Sequence, residues 1–208
     1  FHDWALGFDL FFDKTDRLNF TKTCDSIGSY LAFQEAEFLK SQYQLVHIST
    51  GDVFRYNIKN ATDLGKLAQS YMDQGDLVPD SVTINMLEAE VEKNQDAKGF
   101  IFDGFPRTTA QAEALDAFLS KKEMQVTATI ALEATDDELV ERLLKRGETS
   151  GRSDDQDEAK IRNRFDEYNQ KTAPLQSFYT NQSKFHSVNG IGTIDEITAR
   201  LTSIIDRF

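Results

Sequence analysis

Gly99-Phe100-Ile101-Phe102-Asp103-Gly104-Phe105-Pro106-Arg107 is the stretch on which the fold turns. An apolar run ends in a carboxylate, and the chain then bends through Gly104 toward an arginine. Short apolar runs bounded by turn residues read as buried strands. In open α/β sheets, ligands bind beyond the carboxyl ends of the strands, where Asp103 and Arg107 would then sit. Asp103 is placed like an acid that holds magnesium through water, and Arg107 like a phosphate clamp. An Asp-Gly turn at a strand end is common by itself. The length of the string, with Gln111 one helical turn beyond it, sets this one apart.

Outward from that string the chain alternates helices and strands. Upstream, residues 36–44 read as the end of a helix and 45–49 as a strand. Helices are predicted over 52–60, over 62–74 with Thr62 as N-cap, and over 81–94 with Asp80 as cap. Downstream follow a helix over 108–121, a strand over 126–132, and helices over 136–145 and 155–179. A strand over 185–188 and an amphipathic helix over 194–207 close the chain. Such alternation argues for an α/β fold with a parallel sheet. Residues 1–35 are different in character. They hold eight aromatics (Phe1, Trp4, Phe8, Phe11, Phe12, Phe20, Tyr30, Phe33) with no sustained period, and no element is assigned to them.

Two further strings carry chemistry. In Ile48-Ser49-Thr50-Gly51-Asp52-Val53-Phe54-Arg55 a strand runs into a glycine turn and a helix start, with an arginine one turn in. Amide hydrogens at such a start, together with the guanidinium, can hold an anion. Alone, the string reads equally well as a capped helix with a solvated arginine. In the third, Arg142, Arg146 and Arg152 flank a loop between Gly147 and Gly151, and Arg162 and Arg164 follow on the next helix. Five of the ten arginines fall between Arg142 and Arg164. A glycine-punctuated loop with arginines at both shoulders can close over a transferring phosphoryl group. Arginines on a helix also form solvated i,i+4 pairs, such as Glu138 with Arg142.

Composition narrows the classes. The 208 residues fit one globular unit with small lobes, and a net charge of −12 disfavours nucleic acid as a partner. No apolar run reaches the roughly 18 residues a membrane helix needs, so no membrane association is expected. Asp3, Asp9 and Asp13 interrupt the first aromatics, unlike a signal peptide. Cys24 stands alone, which excludes an internal disulfide and favours the cytoplasm.

Taken together, the three strings resemble the adenylate kinase family in its short-lid type, over residues 36–208. Flanking pieces share the likeness: Gln74-Gly75-Asp76-Leu77-Val78-Pro79-Asp80, Tyr168 with Thr172-Ala173-Pro174-Leu175, and Val188-Asn189-Gly190-Ile191-Gly192. The resemblance implies a P-loop NTPase-like three-layer αβα fold with a parallel sheet. It also implies an AMP-binding helical lobe at about 49–78 and a short lid at about 146–156. The implied reaction is ATP + AMP ⇌ 2 ADP by in-line phosphoryl transfer with Mg, in a monomer. By the same carry-over, Thr50, Arg55, Asp76, Leu77, Val78, Gly104, Phe105, Pro106, Arg107 and Gln111 would bind AMP. Arg152 and Arg164 would contact AMP and the transferring phosphates, forming a catalytic set with Arg107 and Asp103. Arg142 and Arg146 would meet the ATP phosphates, Gly192 the ATP adenine, and Asp103 the Mg through water. The Gly147–Gly151 stretch leaves no room for a longer zinc-bearing lid. Thr50 offers a hydroxyl to a purine, and the Gln111 amide can pair with an adenine edge.

The family's P-loop, Gly-x-x-x-x-Gly-Lys-[Ser/Thr], should precede Ala36. Gly28-Ser29-Tyr30-Leu31-Ala32-Phe33-Gln34-Glu35 stands there instead, and no segment matches the pattern. A catalytically impaired AMP-binding homologue is therefore the alternative, and an interaction protein acting through its aromatic segment a third. Residues 27–33 are the candidate replacement for the family's first strand. Permitted codons for Ser29–Glu35, such as AGT TAT TTG GCG TTC CAG GAA, read one nucleotide earlier as Leu-Phe-Gly-Val-Pro-Gly. That peptide resembles a strand end and first P-loop turn, so residues 1–35 are expected to be an out-of-frame translation.

Overall fold

The computed structural model describes the backbone of residues 4–13 and 18–23, and residues 38–74, 76–150 and 157–208. Six strands form one sheet: β1 (Trp4–Asp13), β2 (Leu18–Thr23), β3 (Val46–Ser49), β4 (Phe100–Asp103), β5 (Met124–Ala134) and β6 (Phe185–Asn189), in the order β3-β4-β2-β1-β5-β6. Pairs β3–β4, β2–β4 and β5–β6 are parallel, as expected of strands linked by helical crossovers. β1 is antiparallel to both β2 and β5. No element is expected over residues 1–35, yet within β1 Trp4, Leu6, Phe8, Leu10 and Phe12 do recur at every second position as in a strand. Residues 27–33 lie outside the described residues.

The helices are α1 (38–43), α2 (Thr50–Lys59), α3 (Asp63–Met72), α4 (Asp80–Glu92), α5 (Thr109–Ser120), α6 (Asp136–Ser150), α7 (Glu158–Glu167), α8 (Pro174–Thr180) and α9 (Ile194–Ile205). They cover both faces of the sheet. Ile101, Ile130 and Leu132 pack with α1, α6, α7 and α9 through Leu39, Leu143, Phe165 and Leu201. Phe100 and Phe102 pack on the other side with Leu87, Leu115 and Tyr179 of α4, α5 and α8. Successive strand residues point to opposite faces, so β4, buried on both, reads as a continuous apolar run. On β5 the register with β1 slips at Thr127. Val126 accordingly joins one layer and Ala128 the other. A separate cluster of Phe54, Ala68, Val78 and Met86 holds α2, α3 and the start of α4 as a lobe. The result is the expected three-layer α/β architecture with a helical lobe.

Several boundaries differ from the sequence expectation. α2 begins at Thr50 rather than at residue 52, because Ser49 caps it: the Ser49 Oγ accepts from the Asp52 N–H at 3.3 Å. Thr62 caps α3 as expected, accepting from Gly65 N–H at 3.0 Å. Asp80 does not cap α4; it is the helix's first residue, and its carboxylate reaches α5 instead. α6 continues through Gly147 to Ser150, so 146–150 is helix rather than loop. A mid-helix glycine loses only about 1 kcal/mol relative to alanine, which continuous helical hydrogen bonding can offset. The remainder of the expected lid, 151–156, lies outside the described residues. The helix expected over 155–179 is interrupted by a π-helical turn over Tyr168–Thr172, after which Pro174 opens α8 at a position needing no N–H donor.

Candidate active site

The turn after β4 is the centre of the site. Thr50, the first residue of α2, donates its hydroxyl toward the carbonyls of Gly104 (3.0 Å) and Asp103 (3.2 Å). These contacts fasten the start of α2 to the end of β4. Gly104 has φ +77°, and a Cβ there would lie 2.7 Å from Arg107 Nη2 and 2.8 Å from Thr50 Oγ1. Glycine alone satisfies both the conformation and the approach. Arg107 Nε donates to the Gly104 carbonyl at 2.7 Å. The Arg107 backbone is held at both ends: its N–H donates to Gln111 Oε1 (2.7 Å), and its carbonyl accepts from Thr172 Oγ1 (2.9 Å).

A cleft opens between this turn and the α2–α3 lobe. Of the residues singled out in the sequence, Thr50, Arg55, Asp76, Leu77, Val78, Gly104, Arg107 and Arg164 line it. Arg55 is braced by Asp52 Oδ1 at 2.5 Å. Arg164 comes from α7 and is only 8% exposed. Its neighbour Asn163 donates to Gln74 O (3.0 Å) and Asp76 Oδ1 (2.9 Å), docking α7 on the lobe. Three guanidiniums therefore converge on one cleft of an acidic chain, an arrangement suited to an anion. Phe105 is fully buried in the core and Pro106 is buried beside it, joined by a cis peptide. Gln111 lies behind the cleft wall and is 1% exposed.

The other predicted group gathers at the carboxyl ends of β5 and β6. Arg142 Nη1 donates to the Gly190 carbonyl at 3.2 Å, while its Nε pairs with Glu138 at 2.6 Å. The i,i+4 pair and the approach to the glycine loop thus coexist on one side chain. Arg200 Nη1 donates to the carbonyls of Asn189 (2.8 Å) and Ile191 (2.7 Å), shaping the loop that carries Gly192. Arg146 lies further along α6. Arg152 lies outside the described residues.

Comparison with known proteins decides the family. The family description "Adenylate kinase" matches residues 34–184. An adenylate kinase of Flavobacterium psychrophilum is 70% identical over 172 residues, covering 83% of this chain and 90% of that protein. One from Flavobacterium johnsoniae is 63% identical with the same coverage. One from Bacteroides thetaiotaomicron is 46% identical over 173 residues, 83% of this chain and 91% of that protein. The chain belongs to the adenylate kinase family.

It is accordingly an enzyme, a phosphotransferase of the nucleoside monophosphate kinase class. Arg107 sits in the turn between β4 and α5, Arg55 in the middle of α2 and Arg164 in the last turn of α7, so regular elements set their positions. Asp103, with a side chain 13% exposed, ends β4 and faces His47 Nε2 at 3.5 Å. No group of three or more metal-ligating side chains occurs among the described residues. A single carboxylate at a strand end fits magnesium, which keeps several waters and leans on phosphate oxygens rather than a protein cage. No helix among the described residues is long and apolar enough to cross a membrane.

Some lining residues escaped the sequence reading. Phe54, Met72 and Thr83 face the cleft, yet in sequence they are only the periodic residues of amphipathic helices. Asp80 and Thr172, which brace Gln111 and Arg107 from behind, were legible only as a helix cap and a flanking motif.

Proposed function

We propose that this adenylate kinase family member catalyses ATP + AMP ⇌ 2 ADP with AMP in the cleft beside Arg107. The observation that carries this is the convergence of Arg55, Arg107 and Arg164 on one cleft whose wall is the Gly104 turn. Arg55 and Arg107 would hold the AMP phosphate. Arg164, with Arg152, would screen charge as the phosphoryl group passes between nucleotides. Thr50, Gly104 and the Asp76–Val78 stretch would enclose the nucleoside, with Phe105 and Pro106 stiffening the turn and Gln111 meeting the base. Arg142 and Arg146 would meet the ATP phosphates, and the Gly192 loop its adenine. Asp103 would hold magnesium through water, and the bound ion would neutralise phosphate oxygens. Catalysis then consists largely of positioning and electrostatic screening.

The same proposal has residues 146–156 acting as a short lid, and the enzyme working as a cytoplasmic monomer on free nucleotides. Calorimetric titration with AMP, ATP and a bisubstrate dinucleotide, beside a coupled assay for ADP, tests it. All three ligands should bind and ADP should form. Binding of AMP alone without turnover would overturn the kinase assignment in favour of a binding homologue.

A further inference from the structure

The α2–α3 lobe is fastened at each of its ends. At the start of α2 the tie is Thr50, bonded to the carbonyls that end β4. After α3 the tie comes from α7. Asn163 Nδ2 donates to the Gln74 carbonyl at 3.0 Å and to Asp76 Oδ1 at 2.9 Å. A backbone carbonyl and an ionised carboxylate only accept, so it is the NH2 of Asn163 that faces them, and both of its hydrogens are used.

Both bonds land on the segment that joins α3 to α4. Within the lobe this segment is held by Tyr71, whose carbonyl accepts from the Gln74 N–H (3.0 Å) and the Asp76 N–H (3.1 Å). It is also held by Val78, which is buried in the lobe's own apolar cluster. The segment therefore moves with the lobe, and Asn163 fixes where the lobe stands against α7. Asp76, Leu77 and Val78 line the cleft from the segment, and Arg164, next to Asn163, lines it from α7. Asn163 is not among the described residues that line the cleft.

We propose that Asn163 is a positioning residue for AMP: its two bonds hold the lobe at the spacing from α7 at which Arg164 and the Asp76–Val78 segment engage one ligand. This rests on the reading that AMP occupies the cleft. A lobe released from α7 leaves the cleft assembled for only part of the time, and the apparent affinity falls by that fraction.

Exchanging the two partners tests this at constant charge. Asn163→Asp sets a carboxylate against the Asp76 carboxylate and the Gln74 carbonyl, so both bonds are lost. Adding Asp76→Asn supplies an amide that donates to the new carboxylate, and one bond returns in the opposite direction. AMP should be titrated calorimetrically into the full chain, each single variant and the exchanged pair. Asn163→Asp is expected to weaken AMP about tenfold, as the loss of two hydrogen bonds would. The exchanged pair is expected to bind AMP at least about threefold more tightly than the two single effects sum to. Charge effects on AMP, and any contact Asp76 makes with it, appear in the single variants and drop out of this cycle. Loss of folded protein lowers the stoichiometry and leaves the affinity of the folded fraction in place. Unchanged affinity in Asn163→Asp, or single effects that simply add in the pair, overturn the role of Asn163 while the AMP assignment stands. A wild-type chain that does not bind AMP overturns the AMP assignment, and the role of Asn163 with it.

Discussion

Arg107 shows how little freedom a single site residue has in this molecule. Its peptide is pinned by Gln111 and Thr172, and its Nε by the carbonyl of Gly104. The guanidinium is thereby aimed into the cleft before any ligand arrives. Arg107→Ala is expected to lower turnover by on the order of 10²–10³, with the coupled ADP assay as readout. Undiminished turnover would remove Arg107 from the phosphate site. Asp116 is a different case, remote from that cleft. Burial raises its carboxyl pKa above the ordinary 3.8, and the hydrogen bond from Gln182 and the charge of Lys184 offset this only in part. A carboxyl raised on folding favours the folded state below its unfolded pKa, and that contribution is lost as pH rises through the folded value. Asp116→Asn should therefore melt at a higher temperature than wild type at pH 7, with the gap closing below about pH 4. A gap independent of pH in a thermal melting series would contradict the assignment. Residue types were legible in the sequence at Thr50, Arg55, Arg107 and Arg164. Asp80 was not: a carboxylate before an amphipathic run looks like a cap wherever its oxygens finally point.

At the scale of elements, the lobe depends on a close crossing of α2 and α3. A Cβ on Gly65 would lie 2.2 Å from the Asn57 carbonyl, so the two helices meet backbone to backbone. Thr62 closes the corner, accepting from Gly65 N–H while its hydroxyl faces Asn57 Oδ1 at 2.9 Å. Gly65→Ala must push the helices apart and is expected to destabilise by about 1–3 kcal/mol. AMP binding should weaken along with it, because Phe54 and Met72 line the cleft from these helices. A denaturant midpoint equal to wild type would refute the close crossing. Helix types and their order were readable from periodicity. Their ends were less so: α6 runs on through Gly147, and the π-helical turn before Pro174 leaves no mark in the pattern of apolar residues.

Across the whole molecule, the family match begins at residue 34 and the relatives cover 83% of the chain. For residues 1–35 we keep the proposal that they replace the family's first strand and P-loop through a shifted reading frame. Joining an in-frame first strand and P-loop at Ala36 should strengthen ATP binding and raise ADP formation in the coupled assay. Equal turnover by the chain as written, or coding DNA whose shifted frame lacks the loop, would overturn this. By itself the sequence determined the α/β class and the family, since these reside in local runs such as 99–107 and 48–55. Only the tertiary structure decided the antiparallel β1 beside β5, the convergence of Arg55, Arg107 and Arg164 from three separate segments, and the partner of the Asp80 carboxylate. Strand neighbours and side-chain partners far apart in the chain are chosen by packing and by the pairing of buried polar groups. Local periodicity carries no trace of that choice.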